Sequence, residues 1–460
     1  MTDTFDAIII GAGQAGSPLA VRLAEAGMDT CLIEREHLGG TCVNDGCIPT
    51  KTLVASARVA HVARDAARFG VDVGPPRVDM ARVKARKDAV VQASIDGLTG
   101  WFEGAKNLTV IRGEARLVSA HAVEVGGRTL SAPKIFLNTG GRATVPDWPG
   151  LADTPYLTNT TIMAMDHVPE HLIIAGGSYI GLEFAQMYRR FGARVTVFEY
   201  ADRLIAREDA DVSDAVRAIL EAEGIEVRLR VRDFAVQKTS AGVRLRASVA
   251  GAPLDIEGDD LLLAVGRRPN VEALNLPAAG VALDARGYIQ VDGGLATSAP
   301  GIWALGDVNG RGAFTHTSYN DYQVLAANLL NGETRSIAER IPAYALYTDP
   351  PLGRVGLTEA EVRASGRPAL IATRPMSRVG RAFERGETAG FMKVLVDAET
   401  QAILGAALLG VEGDEVVHTL IDAMAARTPA TTLARTMHIH PTVSELIPTL
   451  LEGLAPLAPA

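Results

Sequence analysis

The chain has 460 residues, 45 basic against 54 acidic, with a net charge of −9 and an isoelectric point near 5.6. The length predicts about two to four domains, and the acidic balance argues against nucleic acid or an anionic membrane as the main partner. Because no apolar run reaches the roughly 20 residues that span a bilayer, the start lacks the basic segment of a signal peptide, and three cysteines make no extracellular disulfide framework, we expect a cytoplasmic protein.

The chain begins with a predicted strand, turn, helix and strand. The apolar run Ala7–Ile10 is typical of a strand that is buried on both faces. A Gly-Ala-Gly-Gln-Ala-Gly segment follows at 11–16, then a helical pattern, and then a second strand, Thr30–Glu34, which ends on a carboxylate. This pattern predicts a dinucleotide-binding unit, in which the glycines let the backbone approach a pyrophosphate and Glu34 binds a ribose.

Two of the three cysteines lie in one glycine-rich segment, Gly39–Lys51. In a regular helix, Cys42 and Cys47 would be about 7.5 Å apart along the axis, whereas a disulfide needs Cα atoms roughly 4.4–6.8 Å apart. If the two cysteines pair, the backbone between them must leave the helix, and the Asn-Asp-Gly segment at 44–46 tolerates that distortion. A disulfide that closes so short a loop adds little stability, which favours a redox role.

A second dinucleotide-binding pattern follows. The apolar run at 171–175 leads into a Gly-Gly-Ser-Tyr-Ile-Gly segment at 176–181, and the later strand Arg194–Glu199 again ends on an acid. Ser178 replaces the middle glycine of the fingerprint, so its side chain either crowds the pyrophosphate or bonds to it. We predict nucleotide binding here as well.

Turns and linkers predict how the rest of the chain is divided. Gly126–Leu130 indicates a hairpin in a β-rich insert, Pro146–Gly150 a linker into the second unit, and Gly266–Asn270 a linker out of it. From Pro342 onward, strand-like runs such as Ile403–Leu409 alternate with helical stretches. This pattern favours an α+β C-terminal domain.

These motifs, in this order, resemble the flavoprotein pyridine nucleotide–disulfide oxidoreductases, the family of dihydrolipoamide dehydrogenase, glutathione reductase and mercuric reductase. Ala-Leu-Gly-Asp at 304–307 resembles the second flavin-binding motif, and Asn-Thr-Gly-Gly at 138–141 resembles the crossover turn. Segment 440–445 resembles the His-Pro-Thr…Glu signature of the disulfide-reducing members. The cysteine turn and the segment 347–351 look closest to the mercuric-reductase-like branch.

The resemblance implies an α/β fold of two Rossmann-like three-layer domains, which bind FAD and NAD(P), and an α+β C-terminal dimerisation domain. We expect the FAD-binding domain at 1–149 and 269–338, the NAD(P)-binding domain at 150–268, and the dimerisation domain at 339–460. No metal site is expected. The resemblance assigns cofactor contacts to Gly11, Gly13, Gly16, Glu34, Gly40, Thr41, Lys51, Thr139, Gly140, Gly176, Ser178, Tyr179, Gly181, Glu199, Gly266 and Asp307.

The same resemblance implies how electrons reach the cysteines. A hydride passes from NAD(P)H to FAD, which then reduces a Cys42–Cys47 disulfide. Cys47 is the thiol nearest the flavin and Cys42 meets the substrate. A helix start just after Cys47 and the nearby Lys51 both favour a thiolate there. Lys51 is expected to pair with Glu183 beside the flavin, and Tyr179 to gate the nicotinamide pocket.

Proton transfer is assigned to a histidine near the C-terminal end. By resemblance, His440 is the general acid–base of thiol exchange, and Glu445 holds its tautomer and orientation. His438 is the alternative, although only His440 directly precedes Pro441. In the family this histidine comes from the other subunit, which implies an obligate homodimer with shared active sites.

Three further residues have competing interpretations. Cys31, inside an apolar strand, is expected to be an inert core thiol. His316 is either a structural histidine or part of the flavin pocket. Asp45, between the two cysteines, should raise the pKa of the thiols unless it is screened.

The coenzyme preference depends on the end of the second unit's acidic strand. Glu199 suits the free 2′-hydroxyl of NADH and repels a 2′-phosphate. Arg203 and Arg207 follow several residues later. We therefore expect NADH to be preferred over NADPH.

The predicted function is reduction of a small disulfide or oxidised-sulfur substrate through the cysteine pair. The alternatives are a reductase of metal ions or reactive oxidants, with the cysteines as soft ligands, and a non-catalytic flavoprotein subunit of a complex. Mercuric reductase carries a C-terminal cysteine pair and lacks the His-Pro-Thr acid–base. This sequence ends without a cysteine, no metal-binding domain precedes Phe5, and His440 is present, so we expect poor turnover of mercury.

Overall fold

The computed structural model describes residues 3–458. The first part of the chain builds a nucleotide-binding unit with a small β-rich insert. Its elements are β1 (Asp3–Thr4), β2 (Ala7–Ile10), α1 (Gly16–Glu25), β3 (Thr30–Glu34), α2 (Gly40–Asn44), α3 (Cys47–Asp65), α4 (Met80–Gly104), β4 (Leu108–Arg112), β5 (Ala115–Ser119), β6 (Ala122–Val125), β7 (Arg128–Ser131), β8 (Lys134–Leu137) and β9 (Gly141–Ala143).

A second nucleotide-binding unit follows, and the chain then returns to the first. The second unit contains β10 (His171–Ala175), α5 (Tyr179–Phe191), β11 (Arg194–Phe198), α6 (Ala210–Ala222), β12 (Glu226–Arg228), β13 (Val231–Thr239), β14 (Gly242–Val249), β15 (Ala252–Gly258) and β16 (Asp260–Leu263). The returning segment contains β17 (Arg267–Pro269), β18 (Ile302–Ala304) and α7 (Thr315–Asn331).

The C-terminal unit is a sheet with short helices around it. Its elements are β19 (Ala343–Leu346), β20 (Leu352–Gly356), α8 (Glu359–Ala364), β21 (Ala369–Pro375), α9 (Gly380–Glu384), β22 (Phe391–Asp397), β23 (Ile403–Leu409), α10 (Gly413–Val416), α11 (His418–Ala425), α12 (Ala430–Leu433), α13 (Leu446–Glu452) and β24 (Ala455–Pro456).

The first unit centres on a parallel sheet of five strands in the order β18-β8-β2-β3-β4. Its middle strand, β2, is buried at all four residues, as its unbroken apolar sequence predicted. Helix α1 covers the sheet with buried residues such as Leu19 and Leu23. The predicted turn at Gly126–Leu130 joins β6 to β7, which pair antiparallel. This arrangement brings the glycine turn after β2 to the carboxyl ends of the parallel strands, where such folds bind nucleotides.

The second unit repeats this design with a four-stranded parallel sheet in the order β12-β11-β10-β16. An antiparallel meander of β13, β14 and β15 packs beside it. The predicted outgoing linker, Gly266–Asn270, is partly a strand, because Arg267–Pro269 pairs antiparallel with β9. The expected α/β class with two Rossmann-like units is confirmed.

The C-terminal unit has one six-stranded sheet in the order β19-β20-β23-β22-β21-β24, all antiparallel. The run Ile403–Leu409, predicted from its sequence, is β23 and is buried along its whole length. One row across this sheet pairs Tyr344 with Arg354, Arg354 with Ala407, and Ala407 with Lys393. The predicted α+β character of this region is confirmed.

Candidate active site

The cysteine turn departs from a helix where the spacing predicted it. Helix α2 ends at Asn44, and α3 begins at Cys47. Between them neither residue is helical, since Asp45 has φ −146° and ψ 23°, and Gly46 has φ −130° and ψ −118°. Both cysteines are free thiols in this structure. Cys47 is therefore the first residue of a 19-residue helix, where the positive end of the helix dipole stabilises a thiolate.

The pKa values of the two thiols are shifted in opposite directions. A hydrogen bond from Cys42, aided by Thr315 and Lys51, lowers the pKa of Cys47 to about 6 despite the cost of burial. The same Cys42–Cys47 hydrogen bond, together with burial, raises the pKa of Cys42. The Thr315 hydroxyl lies 3.1 Å from the Cys47 sulfur. The pair therefore holds its negative charge on Cys47 and its proton on Cys42.

Lys51 and Glu183 form the predicted pair. Lys51 Nζ donates to Glu183 Oε2 at 2.7 Å, and the Glu183 side chain is only 6% exposed. The other carboxylate oxygen of Glu183 accepts from the backbone N–H of Tyr347 at 3.0 Å. Lys51 Nζ also lies 4.4 Å from the centre of the Tyr347 ring. This pair joins the cysteine helix α3 to helix α5 of the second unit and to the C-terminal unit.

A cavity of about 1040 Å³ connects the glycine turn of the first unit to the cysteines. Its wall includes thirteen of the predicted site residues, which are Gly11, Gly13, Glu34, Gly40, Thr41, Cys42, Cys47, Lys51, Thr139, Gly140, Tyr179, Glu183 and Asp307. A cavity of this size matches the range of cofactor sites. The predicted contact Gly16 lies beside it, in the first turn of α1, and Gly266 also lies outside its wall, whereas the next residue, Arg267, is in it.

The glycine turn leaves no room for side chains. Gly11 has φ +104°, and a Cβ there would lie 2.3 Å from the Asn138 carbonyl oxygen. A Cβ on Gly40 would lie 3.1 Å from the Cα of Gly13. Glu34 accepts from the backbone N–H of Ala12 at 2.8 Å, so its carboxylate closes the turn from the next strand. A long cavity, a bare backbone turn and a carboxylate at its edge fit FAD.

Asn138, which replaces an alanine of the crossover turn, ties the two parts of the first unit together. Its side-chain oxygen accepts from the N–H of Gly16 at 2.8 Å, and its amide donates to the carbonyl oxygen of Leu305 at 2.8 Å. Leu305 directly precedes the Gly306-Asp307 turn. This contact holds the segment before Asp307, and Asp307 lies in the wall of the same cavity as the glycine turn.

The second glycine turn has the same geometry as the first. Gly176 has φ +113°, and a Cβ on Gly181 would lie 2.0 Å from the Gly176 carbonyl oxygen. Glu199 accepts from the N–H of Gly177 at 2.6 Å, as Glu34 does from Ala12. Ser178 is exposed at the start of α5, and its side chain makes no capping hydrogen bond there. Its hydroxyl is therefore free to meet a ligand at the helix N-terminus.

The predicted histidine pair forms outside the cavity. His440 Nδ1 lies 2.8 Å from Glu445 Oε2, and the histidine side chain is 79% exposed. Neither residue belongs to the cavity wall of the same chain. His438 instead contacts the carbonyl oxygen of Thr436 at 3.0 Å, and no carboxylate of the described residues pairs with it. Of these two histidines, His440 is the one that a carboxylate orients, as general acid–base chemistry requires.

The structure shows the surroundings of Cys31, His316 and Asp45, the three residues with competing interpretations. Cys31 is fully buried in β3, where burial raises the pKa of its thiol to about 12, as expected of a core thiol. His316 has both proposed features, because its Nε2 lies 2.6 Å from the Ala343 carbonyl oxygen and its ring lines the cavity. Asp45 accepts a hydrogen bond from the hydroxyl of Thr160, and the pKa of neighbouring Cys47 falls despite its presence.

Sequence reasoning missed Thr315, Thr160 and Glu208. Thr315 and Thr160 touch the cysteine turn from positions more than one hundred residues away. The only available signal for Thr315 was its place shortly after the Ala-Leu-Gly-Asp motif, at a helix start. Glu208 accepts hydrogen bonds from the hydroxyls of Tyr179 and Tyr344 and carried no motif of its own.

The chain has two nucleotide-binding units, each built on a parallel sheet, and a cysteine pair in the cavity of the first unit. This combination defines a disulfide oxidoreductase of the flavoprotein class. Comparison with known families agrees. The family described as pyridine nucleotide-disulphide oxidoreductase matches residues 5–321, and its dimerisation domain matches residues 342–451. The chain belongs to the pyridine nucleotide-disulphide oxidoreductases. It is an enzyme of the family that uses FAD and a pyridine nucleotide.

Several relatives match along nearly the whole chain. The probable pyridine nucleotide-disulfide oxidoreductase RclA of Escherichia coli is 36% identical and is matched over 96% of this chain and 97% of its own length. A dihydrolipoyl dehydrogenase of Thermus scotoductus is 34% identical, covering 98% and 97%. A mercuric reductase of Lysinibacillus sphaericus is 31% identical, covering 96% of this chain and 81% of its own. A solved Cu(II) complex of the HOCl-induced flavoprotein disulfide reductase RclA from Escherichia coli superposes with a TM-score of 0.89 at 36% identity, covering 98% of this chain and 99% of that one.

Two kinds of feature are absent from residues 3–458. No helix in that range is long and apolar enough to cross a membrane. Within the same range, no group of three or more His, Cys, Asp or Glu side chains is arranged to hold a metal ion.

Proposed function

We propose that this protein is an NADH-dependent reductase of a small disulfide or oxidised-sulfur substrate, working through Cys42 and Cys47. The observation that carries the proposal is the thiol pair itself. Cys47 has a pKa of about 6 and lies in the wall of the cavity that begins at the Gly11 turn. A dithiol whose inner sulfur is a thiolate at neutral pH, beside a flavin-sized cavity, is suited to accept and pass on an electron pair.

The residues divide the chemistry between them. The Gly11 turn, Glu34 and Asp307 would hold FAD, which when bound would accept a hydride from the nicotinamide and pass its electron pair to the cysteine pair. The Cys42 thiolate attacks one sulfur of the substrate disulfide, and the other sulfur leaves as a thiol. Cys47 then attacks Cys42, which releases the second substrate thiol and leaves a Cys42–Cys47 disulfide. The pair thus supplies two electrons and the proton of Cys42, and the second proton that the two substrate thiols need comes from solvent.

Cys42 needs a base, since its raised pKa keeps it protonated. His440, oriented by Glu445, fits that role but lies outside its own chain's cavity. We propose a homodimer in which His440 of each subunit serves the cysteine pair of the other. The flanking side chains of Met437 and Ile439 are 94% and 80% exposed, as apolar residues of a subunit interface are before association.

The proposed preference for NADH depends on Glu199. One of its carboxylate oxygens accepts from Gly177 N–H at 2.6 Å, and the other accepts from Ala201 N–H at 2.7 Å. The negative charge is therefore fixed at the end of β11, where it repels a 2′-phosphate. Steady-state kinetics with both coenzymes test this preference, and a higher kcat/KM for NADPH would refute it.

A second candidate is the reduction of a reactive oxidant or a soft metal ion. Similarity to RclA, which is described as HOCl-induced and was solved as a Cu(II) complex, favours this candidate. Sulfur ligands such as Cys42 and Cys47 suit copper. Electron transfer to a metal does not require the proton transfer that His440 provides, so the two candidates differ in their need for His440.

A substrate panel with purified holoenzyme tests the proposal. Small disulfides, Cu(II) and hypochlorite-derived sulfur species are each offered with NADH. The proposal expects His440→Ala to lower disulfide turnover by about 10²–10⁴-fold, the usual contribution of a general acid–base. Equal loss with Cu(II), or full activity of the variant on disulfides, would contradict the primary candidate.

A further inference from the structure

Glu208 occupies an unusual position between the second unit and the C-terminal unit. It lies just before α6, and its side chain is fully buried. One carboxylate oxygen accepts from the Tyr344 hydroxyl at 2.7 Å and from the Tyr179 hydroxyl at 3.2 Å. Tyr179 belongs to the second unit and Tyr344 to β19 of the C-terminal unit. A single carboxylate oxygen therefore joins the proposed nicotinamide gate to the C-terminal sheet.

A buried arginine faces the other oxygen of this carboxylate. Arg354 is 1% exposed, and its Nε lies 3.8 Å from Glu208 Oε2, beyond hydrogen-bond distance. Within residues 3–458, that oxygen and all three guanidinium nitrogens of Arg354 have no hydrogen-bond partner. Glu208 thus has an alternative partner within a short movement, because a charge-assisted bond to Arg354 would satisfy groups that are now unpaired.

The ring of Tyr179 is held by aromatic contacts as well as by its hydroxyl. It packs edge-to-face against Tyr344 and Phe314, with ring centres 5.7 and 6.1 Å away. Phe314 and Tyr344 stack on each other at 5.4 Å. Tyr179 and Phe314 also line the cavity that holds the cysteines. Movement of the Tyr179 ring breaks one hydrogen bond to a carboxylate and alters the wall of the cavity.

We propose that Glu208 is the positioning residue of the Tyr179 gate, and that Tyr344 and Arg354 set how firmly Glu208 holds it. In the present arrangement the Tyr344 hydroxyl keeps Glu208 turned toward Tyr179. If Glu208 turns toward Arg354, Tyr179 loses its hydrogen bond and its ring is free to leave the nicotinamide pocket. This inference rests on the proposed function, since it assumes that the coenzyme enters past Tyr179.

We expect the affinity for NAD⁺ to rise when the hydrogen bond between Tyr179 and Glu208 is weakened. A ligand that binds only the open state has its apparent affinity reduced by the fraction of molecules that are open. Removing the Tyr179 hydroxyl makes opening easier, so Tyr179→Phe should bind NAD⁺ several-fold more tightly than the wild type. Tyr344→Phe releases Glu208 and should act in the same direction. Because Tyr344 acts through the Tyr179 hydroxyl, Tyr344→Phe should add nothing in the Tyr179→Phe background.

Calorimetric titration of NAD⁺ into the FAD-loaded protein provides the test. The variants are Tyr179→Phe, Tyr344→Phe, the double variant and Glu208→Gln, with Tyr156→Phe as a matched control on a partly exposed tyrosine. The expected result is tighter binding in both single Phe variants, an equal constant in the double variant and in Tyr179→Phe, and no change in the control. The two Phe variants keep the Glu208 carboxylate opposite the buried Arg354 charge, so they are expected to fold. They therefore test the role of Glu208 even if Glu208→Gln fails to fold.

Two results would overturn the inference. One is an NAD⁺ dissociation constant for Tyr179→Phe within twofold of the wild type. The other is a double variant whose effect is the sum of the two single effects, which indicates independent packing changes. Failure of the proposed function appears differently, as a wild-type flavin that NADH does not reduce, and the calorimetric comparison remains decisive in that case.

Discussion

The Thr315 hydroxyl lies 3.1 Å from the sulfur of Cys47, and each of these residues is the first of a helix. Helix α3 runs for 19 residues from Cys47, and α7 for 17 residues from Thr315. The positive ends of two helix dipoles thus meet at one sulfur atom, together with a hydroxyl donor and Lys51. The hydrogen bond from Cys42 is the largest cause of the lowered pKa of Cys47, which is about 6, and Thr315 and Lys51 add to it against the cost of burial.

The pKa of Cys47 should be visible in the reduced enzyme. The long-wavelength absorbance of a thiolate beside oxidised flavin should appear as the pH rises through about 6 and disappear below it, because only the ionised sulfur donates charge. Thr315→Ala removes a donor to the thiolate and should move this transition upward by about one pH unit. Thr315→Ser keeps a hydroxyl and serves as the control. A transition unchanged in Thr315→Ala would show that the hydroxyl does not stabilise the thiolate.

The Lys51–Glu183 pair should contribute to stability as well as to the site. Lys51→Met leaves Glu183 buried with only the Tyr347 N–H as partner. Since Lys51 is one-third exposed, we expect a loss of about 1–3 kcal/mol in the free energy of unfolding, below the cost of breaking a fully buried pair. Urea titration measures this change. Lys84→Met breaks the pair with Asp88, which is 45% exposed and keeps Lys87 as a partner, so it should cost under about 1 kcal/mol.

The double variant Lys51→Met/Glu183→Gln gives a further check. It removes the unpaired charge, so it should be more stable than Lys51→Met alone. A double variant that is less stable than both single variants would mean that the two side chains contribute independently.

His440 should be needed for thiol–disulfide exchange but not for the reduction of the flavin by NADH. His440→Ala should leave the rate of flavin reduction by NADH unchanged while it slows thiol–disulfide exchange, because the base acts on Cys42 and its substrate. Rapid mixing with NADH and then with substrate separates the two halves. His438 has no carboxylate partner among the described residues, so His438→Ala should behave as the wild type. Loss of the first half-reaction in His440→Ala would contradict the assigned role.

Glu199 should govern the choice of coenzyme. Glu199→Gln removes the negative charge but keeps an oxygen that accepts from Gly177. We expect the ratio of kcat/KM for NADH to that for NADPH to fall, mainly through a lower KM for NADPH. An unchanged ratio would assign the preference to another residue. Arg232, whose guanidinium carbon lies 3.4 Å from the centre of the Tyr200 ring near the same strand end, is then the next candidate.

The sequence predicted the local parts of this protein well. Strands such as Ala7–Ile10 and Ile403–Leu409 follow from unbroken apolar runs, and both glycine turns follow from spacing. The break between Cys42 and Cys47 follows from the reach of a helix. All of these depend on neighbours within a few residues, which a single sequence displays.

Contacts between distant segments were beyond the reach of the sequence. Thr315 reaches Cys47 across 268 positions, and Thr160 reaches Asp45 across 115. From the sequence alone, Asp45 was expected to raise the pKa of the neighbouring thiols. The hydrogen bond that it accepts from Thr160 could not be predicted, because no residue near Asp45 in the sequence indicates it. Glu208 is similar, since only the docking of β19 and β20 onto the second unit brings Tyr344 and Arg354 to it. The family resemblance supplied Lys51–Glu183 and His440–Glu445, which no local pattern pairs.

The central claim is that Cys47 faces the flavin and Cys42 faces the substrate. Anaerobic titration of the holoenzyme with NADH tests it most directly, with absorbance read at long wavelength after two electrons per flavin. We expect a charge-transfer band in the wild type that persists in Cys42→Ser and is absent from Cys47→Ser. A band that persists in Cys47→Ser and disappears in Cys42→Ser would contradict it.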